Sequence, residues 1–152
     1  MPITKEGKKM KEYMKVIVYY NLHKNCYSVV SLEKENYGRV IKHENYVPLS
    51  DVQFKVSEKG RQRVLREQKK NVHAYVIGKW SIDCYNGSEI LCSELQTKDG
   101  NIKSIKVATY DPYKYSSFID AHSKKPLTKA SRVLLSKRHF VGRQTSQIYY
   151  VA

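Results

Sequence analysis

From residue 15 onward the chain alternates short β-branched and aromatic runs with polar turns, and one stretch carries a helical period. Residues 15–20, KVIVYY, predict a strand, and 26–32 have the same character. Residues 22–25 would join the two as a hairpin, and 39–42 predict a further short strand. Val52, Phe54 and Val56 alternate with Asp51, Gln53 and Lys55, the pattern of a strand with one face in solvent. Ser57 then caps a helix predicted over 58–70, because its hydroxyl accepts from an otherwise unpaired first-turn N–H. Gly60 weakens that first turn. A strand over 71–77 follows, stopped by Gly78.

Strands predicted over 79–85 and 89–96 flank Asn86-Gly87, a strong hairpin signal. A turn at 98–101 returns the chain through 102–110, and Asp111-Pro112 breaks the sheet. Residues 116–121 predict a helical turn, 131–140 suit helix or strand, and 148–151 a closing strand. The fold class expected is α+β, mainly antiparallel sheet with one principal basic helix packed on it. Residues 1–13 predict a mobile basic arm, with Met10 and Met14 as alternative starts, and 14–152 a single α+β domain.

Charge changes the picture. Twenty-eight Lys and Arg stand against 14 Asp and Glu, a net +14 on 152 residues, which favours a polyanionic partner, DNA or RNA first. No run approaches the ~20 apolar residues of a membrane span, so no membrane partner is expected, and no secretory signal is visible. Cys26, Cys84 and Cys92 form no C-x-x-C pair and are expected as reduced, buried thiols. His23 and Cys26 are too few for a metal site, and neither metal nor cofactor is expected.

The positive charge gathers in two places. On a helical wheel Lys59, Arg63, Arg66 and Lys70 fall within about a 60° arc, opposite Val64 and Leu65. Such a ladder spans about 16 Å, enough to meet several phosphates. After Asp120 there is no acidic residue, and Arg132 and Arg138 belong to a tail that carries +7 over 121–152. Aromatic residues supply the second ingredient: 13 of 17 are Tyr, and Tyr110, Tyr113, Lys114 and Tyr115 surround Pro112. Rings on a turn beside a cation are the parts of a base-stacking platform.

Catalytic signatures are absent: there is no phosphate-loop, dinucleotide, zinc-protease or nucleophile-elbow motif. Metal-independent RNA cleavage needs only an acid, a base and phosphate-stabilising cations. His73, on a predicted strand with Tyr75 on the same face, is the candidate acid or base, with His139 as the other histidine to test. Arg61 or Arg63 would steady the phosphate and Tyr75 orient the scissile region.

Residues 60–66, GRQRVLR, run on into 70–78, KNVHAYVIG, and with 110–118, YDPYKYSSF, and 21–24, NLHK, they resemble a family of small proteins encoded by tailed bacteriophages. The resemblance implies a phage protein acting in the bacterial host cytoplasm, with no activity or site residue attached. Three functions follow as expectations. The first is low-specificity nucleic-acid binding through phosphate contacts and stacking. The second is a phage effector that binds a host bacterial protein or an anionic nucleotide. The third is a metal-independent ribonuclease.

Overall fold

A computed structural model of the chain describes residues 13–81, 105–140 and 143–152. The Asn86-Gly87 hairpin, the 98–101 turn, Cys84 and Cys92 fall outside these residues, as does the predicted arm up to residue 12. Nine strands occur among the described residues: β1 (Tyr13–Asn21), β2 (Cys26–Ser31), β3 (Val40–Glu44), β4 (Tyr46–Val56), β5 (Ala74–Ser81), β6 (Lys106–Thr109), β7 (Ile119–Asp120), β8 (Lys129–Phe140) and β9 (Arg143–Val151). All belong to one sheet in the order β3-β2-β1-β5-β4-β8-β9-β6-β7, and each pair is antiparallel.

The expected α+β class is therefore wrong. The described architecture is a single antiparallel sheet, and its one α-helix, α1 (Glu58–Glu67), buries only Val64. Ser57 caps it as expected, accepting from the Gly60 amide at 3.2 Å. Gln68 then turns left-handed at φ 54° and donates its amide to the Val64 carbonyl, ending the helix three residues before the predicted limit. Too short and too polar to form a layer, α1 is an appendage between β4 and β5.

The sheet curls on itself. The hydroxyls of Tyr27 on β2 and Ser146 on β9 are hydrogen-bonded, although four strands separate β2 from β9 in the sheet. Inside the curl lie Val16, Val18, Val29, Leu49, Val76 and Val133, with the Phe54 ring 5.2 Å from Phe118 and 6.3 Å from Tyr150. Leu134 and Val151 form a second cluster with Tyr46 and Tyr149, so β8 is buried from two sides.

Three further expectations are corrected. Gly78 does not stop a strand; it sits inside β5 beneath an irregularity in β4, where Asp51 has φ 49°. A Cβ there would lie 3.1 Å from the Ser50 carbonyl, so glycine makes room for the bulge. Residues 71–73 precede β5 rather than belonging to it, which takes His73 off the sheet. The 116–121 stretch holds β7 instead of a helical turn.

Candidate nucleic-acid interface

The end of α1 and the tyrosine turn meet at His73. Ser57 donates its backbone N–H to the His73 carbonyl at 2.7 Å, which seats the helix on the segment entering β5. A Cβ on Gly60 would stand 2.6 Å from the His73 Cβ, so the glycine that weakens the helix is what lets it approach. The His73 ring is buried. Its Nδ1 lies 2.8 Å from the Asn71 carbonyl, which can only accept, so Nδ1 carries the proton. In the neutral ring Nε2 then accepts from the Tyr110 hydroxyl at 2.6 Å. Burial pushes the Tyr110 phenol up to about 12, which keeps that donor protonated.

Arg61 ties the tyrosine turn to the helix. Its Nε donates to the Pro112 carbonyl at 3.0 Å and the Tyr115 carbonyl at 2.9 Å, while a terminal nitrogen meets Glu58 at 2.9 Å. The turn also holds itself: Asp111 accepts the Tyr113 amide on Oδ1 at 2.9 Å, and its carbonyl accepts the Lys114 and Tyr115 amides. Ring packing of Tyr110 on Phe118, at 5.3 Å, continues the connection into the core.

These contacts frame a groove of about 710 Å³ between the β1–β2 hairpin, the segment after α1 and the tyrosine turn. Tyr20, His73 and Tyr110 line it, and Leu22, Val72 and Tyr113 stand at 45, 41 and 61% exposure along it. Only two other large apolar residues among the described ones are comparably exposed, so three of five gather here. Two smaller hollows share Lys70 and Asn71 with the groove, one reaching Tyr19 and His23, the other Arg63 and Lys69. Among the described residues no carboxylate pairs with Lys69 or Lys70.

The predicted ladder is partly dismantled. Lys59, Arg63 and Arg66 are exposed on α1, but Lys70 lies past its end and belongs to the groove. Arg63 meets Glu67 at 2.7 Å, one turn away, so its charge is partly neutralised within the helix. Of the tyrosine turn, Tyr110 and Tyr113 line the groove, whereas Lys114 and Tyr115 do not. Arg132 is half-buried on β8; Arg138 and His139 are on the same strand, their side chains outside the description. Tyr75 lines a separate hollow of about 150 Å³ and not the His73 groove. Leu22, Asn71, Val72 and Lys69 were not singled out as site residues; for Leu22 and Val72 the signal was an apolar residue placed singly in a polar stretch.

A second groove, of about 680 Å³, lies where β6 meets the 120–127 segment. The Asp120 carboxylate in it accepts the Tyr150 hydroxyl and the backbone N–H groups of His122 and Ser123. Those bonds hold the carboxyl well below the usual carboxylate range. Among the described residues no cluster of His, Cys, Asp and Glu could hold a metal ion. No helix there is long and apolar enough to cross a membrane.

The family model described as the Mycobacterium phage L5 gene 82 protein matches residues 9–143. The gene 82 protein of Mycobacterium phage L5 is 35% identical over 129 residues, covering 81% of this chain and 90% of that protein. No solved structure matches the chain.

Proposed function

The chain belongs to the family of the Mycobacterium phage L5 gene 82 protein, and from that premise we propose that it binds single-stranded nucleic acid in the Tyr110 groove. The observation that carries this reading is the gathering of Leu22, Val72 and Tyr113 beside Lys69 and Lys70. Exposed apolar surface concentrated along one groove favours a binding site there. Unpaired cations alongside rings are what a strand requires, phosphates on the lysines and bases on the tyrosines. A duplex keeps its bases stacked and has no ring faces to offer. The tail lysines and the exposed cations of α1 add long-range attraction without sequence preference.

The ribonuclease reading finds less support, since both His73 ring nitrogens are engaged within the protein and Arg61 is committed to the turn. The host-protein reading draws on the same exposed apolar residues but gives no role to Lys69 and Lys70. Fluorescence anisotropy with labelled single-stranded and duplex oligonucleotides across a salt series tests the proposal. Single strands bind more tightly, with affinity falling linearly in log[salt]. Equal affinity for duplex, or binding indifferent to salt, contradicts it.

A further inference from the structure

We propose that Asp111 selects guanine in the bound strand, an inference that rests on the nucleic-acid reading of the groove. Asp111 is the one carboxylate among the described residues that line it. An acid is a poor neighbour for phosphate, so its place in the same groove as Lys70 calls for a reason beyond charge. Holding the turn uses only part of it: Oδ1 accepts the Tyr113 amide at 2.9 Å, and no donor among the described residues reaches Oδ2. The carboxylate retains acceptor capacity on both oxygens.

The chemistry of the bases narrows what those oxygens can accept. Guanine alone presents two adjacent donors on its pairing edge, N1–H and the N2 amino group, spaced to meet a carboxylate in two parallel bonds. Adenine and cytosine offer one amino group beside a ring nitrogen whose lone pair faces the carboxylate and is repelled. Thymine and uracil set a single N–H between two carbonyls, with the same repulsion on both sides. Lys70 lines the groove on the segment after α1, with Lys69 in the adjoining hollow, and Asp111 lies on the tyrosine turn beside the exposed Tyr113 ring. A strand with its backbone on the lysines thus turns its base toward Tyr113 for stacking and toward Asp111 for pairing.

The test uses the full chain and labelled oligothymidylates of about eight nucleotides, a typical single-strand site size. One is all thymine; the others carry one central guanine, adenine or cytosine. The guanine strand binds about tenfold or more tighter than the others, as expected of a bidentate base contact. Asp111→Asn keeps an oxygen for the Tyr113 amide but replaces an acceptor with a donor. It abolishes the guanine preference while the all-thymine strand binds more tightly, because the negative charge that opposes phosphate has left the groove of Lys70. The two effects have opposite signs, which neither a structural role nor simple charge removal produces. Equal binding of all four strands by the native protein overturns the inference and leaves the groove reading intact. So does an Asp111→Asn variant that shifts all strands together in either direction. Failure of every strand to bind removes the groove reading, and the inference with it.

Discussion

Two tyrosine corners, at Tyr110 and Tyr150, each adjoin a groove of about 700 Å³, yet they are built with opposite electrostatics. Tyr150 donates to a charged carboxylate, and Asp120 also takes two backbone amides, so that corner is locked by ionic hydrogen bonds. Tyr110 is hydrogen-bonded instead to the His73 imidazole, and around it Leu22, Val72 and Tyr113 are left in water. The Tyr150 corner is explained by folding alone. The Tyr110 corner keeps apolar surface that folding would hide, and on that difference rests the proposed strand-binding surface.

The largest contrast should appear with pH. The Tyr110 phenol is raised from 10 to about 12, so the stability it lends is complete below pH 10 and lost as pH rises toward 12. Burial raises Tyr27 to about 12 as well, and it adds to the same alkaline loss. Asp120 is lowered from 3.8, so its contribution is complete above that value and lost as pH falls below it. Circular dichroism followed from neutral pH in both directions should show that Asp120→Asn removes part of the acid limb and, because burial and Asp120 together raise the Tyr150 phenol, alters the alkaline limb as well. Tyr110→Phe should move the alkaline limb alone. A Tyr110→Phe variant that also shifts the acid limb would dissolve the distinction between the corners.

Removing the lock outright comes next. Asp120→Ala leaves the Tyr150 hydroxyl and two backbone amides without their acceptor, and should lower stability in urea by about 2–4 kcal/mol. Oligonucleotide affinity of the folded protein should stay within about twofold, since the exposed rings and lysines are elsewhere. Tyr113→Ala should do the reverse. It should cost about 1–3 kcal/mol of single-strand binding and leave the urea midpoint nearly unchanged. The smallest effect is expected at Arg63→Gln. Because Glu67 already balances that charge, affinity should fall less than about threefold and the salt slope by well under one unit.

Much of the sheet was legible and the way it closes was not. The 15–20 run, the hairpin after it and the Val52, Phe54, Val56 alternation read correctly because each has one buried face. The first half of β4 was hidden by Pro48, a residue that argues against a central strand. Residues 131–140 stayed ambiguous because Val133, Leu134 and Leu135 are all buried, which erases the alternation that marks a strand. The helix was overextended because Lys69 and Lys70 continue its polar pattern, while its stop is a left-handed glutamine that carries no strong signal. At the site, Tyr110 and Tyr113, Lys70, and His73 were picked out as parts of three separate features. The His73–Tyr110 bond spans 37 positions, and no local pattern encodes a contact that long.

Amide chemical-shift mapping with an isotopically labelled protein and a short single-stranded oligonucleotide tests the central claim most directly. The account predicts shifts concentrated at residues 19–24, 68–74 and 109–115, with the 105–107 and 120–127 segments of the Tyr150 corner silent. Shifts centred on 120–127, or spread evenly over the basic residues of the chain, would contradict it.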